Sequence, residues 1–97
     1  MSERTETSLS DSLARCREEI ERIDDEIVAL LARRMALGKQ TGELKRESRL
    51  PILDPDREAA VLRRVAALAR ESALPAEPVE AIFREIVSMS RRAQELE

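Results

Sequence analysis

An all-α protomer of three helices, the first of them very long, is what this sequence predicts, and three observations carry it. Apolar residues recur at helical spacing along nearly the whole chain and nowhere with the two-residue alternation of a half-buried strand. Leu, Ile, Val and Ala supply that apolar set, while Phe83 is the only aromatic and glycine occurs only at positions 38 and 42. Proline is confined to positions 51, 55, 75 and 78, which leaves three uninterrupted helical stretches separated by two breaks.

The first stretch, 13–45, carries a seam of Leu13, Cys16, Ile20, Ile23, Ile27, Leu30, Arg34, Leu37, Thr41 and Leu44. Its strict alternation of three and four is the heptad spacing of a helix that meets another helix. Residues 1–9 read as a polar, disordered leader, with Ser8 or Ser10 able to cap the helix and Asp11 favourable near its positive end. Pairs such as Glu18 and Arg22 support the exposed faces, and the helix is expected to fray near Ser48. A helix of about 38 residues rising about 1.5 Å per residue runs roughly 57 Å, about twice the diameter of a compact chain this size. Such a seam cannot be buried within one small protomer, so a partner is implied, a second copy being the simplest.

Leu50, Pro51, Ile52 and Leu53 form an extended connector, after which Asp54 and Pro55 make a strong helix start as N-cap and first helical residue. Helix two runs to about Glu71, with Glu58, Val61, Leu62, Val65, Leu68 and Ala69 on one stripe. The segment 72–78, with two prolines, breaks it. Helix three then runs to about Gln94, with a stripe of Val79, Ile82, Phe83, Ile86, Ser90 and Ala93, flanked by Val87 and Gln94.

Composition removes several function classes. The 97 residues suffice for one small domain, and its 38% charged residues intersperse both signs to a net charge of −3. That is not the clustered basic face with stacking aromatics of a nucleic-acid binder. No apolar run reaches the length of a membrane span, no secretory h-region opens the chain, and the lone Cys16 leaves no internal disulfide framework. A reducing, cytoplasmic location is the expectation. Histidine is absent, which excludes imidazole base catalysis and histidine metal ligands, and no glycine-rich phosphate loop precedes a helix. No cofactor is expected.

Polar residues that interrupt apolar stripes are the candidates for chemistry. Arg34, Thr41 and Lys45 do so on helix one, Glu58 on helix two, and Ser90 and Gln94 on helix three, with Asp54 and Arg57 at the start of helix two. Taken singly, each has a structural explanation, such as Glu58 pairing with Arg34 or Lys45. Together they resemble the lining of a polar pocket, whose fixed cations and donors could hold a small polycarboxylate and stabilise charge developing on oxygen. Arg17 lies beside Cys16 of the seam, yet it is roughly 42 Å from Lys45 along one helix. Antiparallel pairing of two copies near Val28 would set Arg17 of one opposite the stretch between Arg34 and Lys45 of the other.

The residues as a set resemble the all-helical class of chorismate mutases, small dimeric enzymes also found fused to prephenate dehydratase or dehydrogenase. Arg17, Glu18, Glu19 and Ile20 with Ile23 and Asp24 carry the likeness, as do Leu30, Leu31, Ala32, Arg33 and Arg34, then Gly42 with Lys45. Pro51, Ile52, Leu53, Asp54, Pro55, Asp56, Arg57 and Glu58 continue it, and Phe83, Ser90 and Gln94 complete it. The resemblance implies an intertwined homodimer of three-helix protomers with shared sites, and rearrangement of chorismate to prephenate without a nucleophile or cofactor. It implies that Arg17 of the partner and Arg34 bind substrate carboxylates, and that Lys45 and Gln94 donate to the departing ether oxygen. Glu58 would take the ring hydroxyl with help from Asp54, Ser90 would help hold a carboxylate, and Arg57 would order the carboxylates around it. Lys45, Gln94, Arg34 and Glu58 are thereby the expected catalytic residues. Isochorismate-pyruvate lyases and aminodeoxychorismate mutases on the same scaffold are the neighbouring alternatives; a non-catalytic helical dimerisation module is the more distant one.

Overall fold

The computed structural model describes residues 2–95 and is all-α: α1 (Ser2–Glu47), α2 (Pro55–Glu71) and α3 (Ala76–Glu95). Helix α1 begins at Ser2, ahead of the Ser8 or Ser10 cap and within the segment expected to be a disordered leader. Neither proline nor glycine occurs there to stop the helix from propagating; Met1 of that leader lies outside the described residues. The chain divides into two compact units, Met1–Ala32 and Arg33–Glu97.

In the first unit the apolar seam of α1 is in the open. Leu9, Leu13, Ile20, Ile23, Ile27 and Leu30 are between 49% and 65% exposed, and Cys16 is exposed beside them.

The second unit holds the last turns of α1 together with α2 and α3. Asp54 caps α2, its Oδ1 accepting the Arg57 backbone N–H at 3.1 Å, and Pro55 takes the first helical position, where no N–H is needed. Asp56 and Glu58 add negative charge to the same turn, where the helix dipole favours it. Helix α3 starts at Ala76, so Pro78 lies inside its first turn rather than ahead of it. A first-turn proline loses no intrahelical bond, which is why the break is shorter than the two prolines predict.

Two helix ends close in a way no glycine announces. Leu50 N–H donates to Lys45 O at 2.8 Å and Arg49 N–H to Arg46 O at 3.2 Å, the paired bonds of a Schellman end. Leu74 and Ala73 repeat the arrangement on Ala69 and Arg70 at 2.8 and 3.2 Å. Arg49 and Ala73 each take φ 57°, the left-handed region usually left to glycine.

Helices α2 and α3 pack together around Val65, Ala66, Ala69 and Val87, the buried apolar residues. The buried centre coincides only partly with the expected stripes: Val65 and Ala69 lie on that of α2 with Ala66 beside it, and Val87 lies on the flank of α3. Leu68 and Ile82, on those stripes, remain 42% and 59% exposed, while Ala66 and Val87 are buried. The small side chains Ala66 and Ala69 let α3 approach closely, which moves the contact toward them. Helix α1 meets α3 through a glycine pair one turn apart. Gly38 is beside Ser90 and Gly42 beside the Gln94 backbone, and both glycines are buried.

Candidate functional site

A cavity of about 460 Å³ opens in the second unit, within the size range of small-molecule sites. Arg34, Lys45, Asp54, Arg57, Glu58, Ser90 and Gln94 all line it, with Leu37, Gly38, Thr41, Val61 and Val87 between them. The last turns of α1 supply Arg34 and Lys45, the first turn of α2 supplies Arg57 and Glu58, and the end of α3 supplies Ser90 and Gln94. Arg17 belongs to the first unit and is exposed.

Lys45 and Gln94 are joined. Lys45 Nζ donates to Gln94 Oε1 at 2.7 Å and to the carbonyl of Ile52 at 2.9 Å. An ammonium has three hydrogens and no acceptor, so its partner on Gln94 must be the oxygen, and the amide nitrogen keeps both hydrogens. One ammonium hydrogen and the Gln94 NH₂ therefore remain as donors in the pocket wall. Arg46 Nη1 donates to Gln94 O at 2.6 Å, satisfying a carbonyl that the end of α3 would otherwise leave open.

The carboxylates in the wall are occupied by partners of their own. Asp54 spends Oδ1 on the α2 cap. Glu58 is held in a fork by Arg91, with Nη2 to Oε1 at 2.7 Å and Nε to Oε2 at 2.9 Å. The pairing of Glu58 with Arg34 or Lys45 that sequence reasoning allowed is thus replaced by a fork with Arg91. Burial first and the positive charge of Arg57 second pull the Arg34 guanidinium below its usual value. Two like charges in a partly desolvated wall, their nearby carboxylates engaged elsewhere, make a receptor for an anion.

Thr41 has a local explanation. Its hydroxyl donates to Leu37 O at 2.9 Å, so a polar residue on the seam is satisfied within its own helix while still lining the cavity. Arg91, Arg46 and the carbonyl of Ile52 were missed by the sequence reading. Arg91 had a signal: with Val87 and Gln94 it falls at i, i+4, i+7 on the flank of α3. Among the described residues no group of three or more His, Cys, Asp or Glu side chains is disposed to hold a metal. No helix is long and apolar enough to cross a membrane, again among the described residues.

The chain matches the family model of chorismate mutase type II over residues 16–95. It is 40% identical over 81 residues to a bifunctional chorismate mutase/prephenate dehydratase of Aquifex aeolicus, covering 80% of this chain and 22% of that protein. It is 38% identical over 61 residues to a chorismate mutase of Methanocaldococcus jannaschii, covering 63% of this chain and 62% of the relative. An isochorismate pyruvate lyase of Pseudomonas aeruginosa is 43% identical over 75 residues, 77% of this chain and 73% of that protein. The chain therefore spans about a fifth of the bifunctional relative and under two thirds of the archaeal one. A solved structure described as a conserved hypothetical protein from Pyrococcus furiosus superposes with a TM-score of 0.67 at 37% identity, covering 86% of this chain and 95% of that one. With three helices, a cavity walled by cations and amide donors, and a family match over residues 16–95, the chain belongs to the chorismate mutase type II family.

Proposed function

We propose that this protein rearranges chorismate to prephenate by orientation and fixed electrostatics. The observation that carries the reading is the Lys45–Gln94 hydrogen bond of 2.7 Å, which ties two donors into one rigid pair on the pocket wall. In a pericyclic step the breaking C–O bond places negative charge on the ether oxygen, and donors already aimed at that oxygen stabilise the transition state more than the substrate. Arg34 and the partner's Arg17 bind the substrate carboxylates, Arg57 helps order them, Ser90 helps hold one of them, and Glu58 accepts the ring hydroxyl with Asp54 beside it. Holding the folded, chair-like conformer supplies the orientational part of the barrier reduction.

The active species is a homodimer in the cytoplasm, with Arg17 of each protomer completing the partner's site. The exposed α1 seam supports this reading, because Leu13, Ile20, Ile23, Ile27 and Leu30 form a continuous heptad stripe that a single copy leaves about half exposed. Full burial of such a side chain from water is worth about 1.5–3 kcal/mol, so covering the exposed half contributes about 1 kcal/mol each. Incubation with chorismate, following loss of its absorbance and identifying prephenate as product, tests the activity. No conversion by the folded protein refutes it.

The likeness to an isochorismate pyruvate lyase favours a second reading, elimination of pyruvate from isochorismate in the same pocket. Release of pyruvate from isochorismate, with chorismate left intact, selects it.

A further inference from the structure

Glu58 is a hazard to an anion-binding pocket that contains it. It shares the wall with Arg34, Lys45 and Arg57, and it follows Arg57 directly on the first turn of α2. A carboxylate free to turn among three cations would pair with one of them and occupy the place a substrate carboxylate needs. The fork from Arg91 prevents this. Arg91 engages both oxygens, at 2.7 and 2.9 Å, from outside the set of residues that line the cavity. We infer that Arg91 is a positioning residue that holds the Glu58 carboxylate off the pocket's own cations, leaving Arg34 and Arg57 open to a dicarboxylate substrate.

The inference rests on the proposed function and deepens it. A carboxylate offers about four lone-pair positions, and the fork takes one on each oxygen. Glu58 is left able to accept a substrate hydroxyl, in an orientation fixed by a planar, two-bond partner. The unequal Arg34 also fits: burial and Arg57 together already oppose its charge, so it would take the first carboxylate within reach. Lysine at position 91 could make only one of the two bonds and would leave the other oxygen free to swing.

A double-mutant cycle separates this role from a structural one. Calorimetric binding of malate, a non-reacting dicarboxylate, is measured for wild type, Arg91→Ala, Arg91→Lys, Glu58→Gln and the Arg91→Ala/Glu58→Gln pair. Arg91→Ala is expected to weaken malate binding about tenfold and to raise the KM for chorismate by a similar factor with a smaller change in kcat, and Arg91→Lys to fall between it and wild type. In the Glu58→Gln background, where there is no charge to restrain, removing Arg91 should change malate affinity less than twofold. Equal losses in both backgrounds, undiminished affinity in Arg91→Ala, or a wild type that does not bind malate overturns the inference. Should Arg91→Ala fail to fold, Arg91→Lys with the Arg91→Lys/Glu58→Gln pair carries the same comparison. Because malate binding needs no turnover, failure to convert chorismate would refute the proposed activity without deciding the role of Arg91.

Discussion

Gly42→Ala sets two sizeable effects against each other, and the structure decides between them. A Cβ at position 42 would lie 2.5 Å from Gln94 O, 2.7 Å from its Cα and 3.0 Å from its carbonyl carbon. All three are backbone atoms, so no side-chain rotation relieves the clash, and the end of α3 has to retreat by about 1 Å to restore ordinary contact. Helix propensity alone would stabilise the substitution by about 1 kcal/mol. Overpacking of this kind costs about 1–3 kcal/mol, so the net expectation is a loss of about 1 kcal/mol. Activity should suffer more. A retreat of about 1 Å stretches the 2.7 Å Lys45–Gln94 bond past hydrogen-bonding range and disturbs the Arg46 contact to the same carbonyl. Misplacement on that scale lowers turnover by about a hundredfold. Gly38→Ala is the control for stability alone, since it would displace the substrate-binding Ser90 hydroxyl: its Cβ would meet chiefly the Ser90 Oγ, at 2.8 Å, with backbone no nearer than 3.4 Å. The Ser90 hydroxyl can turn away, so the propensity gain of up to about 1 kcal/mol should survive there. Denaturant midpoints and chorismate turnover of the two variants provide the assay. A Gly42→Ala protein that is more stable than wild type and equally active would refute this account of how α3 is seated.

Lys45→Ala and Gln94→Ala should each lower turnover by about a hundred- to a thousandfold, as loss of one preorganised donor does, with a much smaller shift in denaturation midpoint. Mixing inactive Arg17→Ala with inactive Lys45→Ala should restore about a quarter of wild-type activity after subunit exchange, because half the dimers are mixed and each regenerates one site; no recovery despite demonstrated exchange would argue against shared sites. Ala73→Gly should stabilise the protein by about 0.5–1 kcal/mol, since φ 57° is strained for alanine and free for glycine. An unchanged or lower midpoint would count against that strain. Asp54→Ala should cost about 1 kcal/mol through the lost α2 cap, read from the same denaturation curves.

Local and periodic signals made the helices legible from sequence. The heptad seam of α1, the Asp54 and Pro55 start of α2, and its end at Glu71 all rest on neighbours within a turn or two, where spacing and backbone chemistry decide the outcome. The left-handed closure of the helix ends, at Arg49 and Ala73, was not legible, because the residue in each is not glycine and only the hydrogen bonds identify it. Breaks in the apolar stripes also marked which residues of the second unit were worth watching, and Arg34, Lys45, Glu58, Ser90 and Gln94 do line one cavity.

Which charges meet in that cavity was decided by tertiary structure. The sequence offered Glu58 several cations at plausible spacing, and the choice of Arg91 depends on the angle and separation at which α2 faces α3, set by Ala66, Ala69 and Val87. The glycines at 38 and 42 were visible as a composition, but only the packed helices show that each is where α3 comes close to α1, at Ser90 and at the Gln94 backbone. Periodicity tells which face of a helix turns inward; distances of 2.7 Å between side chains on different helices depend on how those faces are packed.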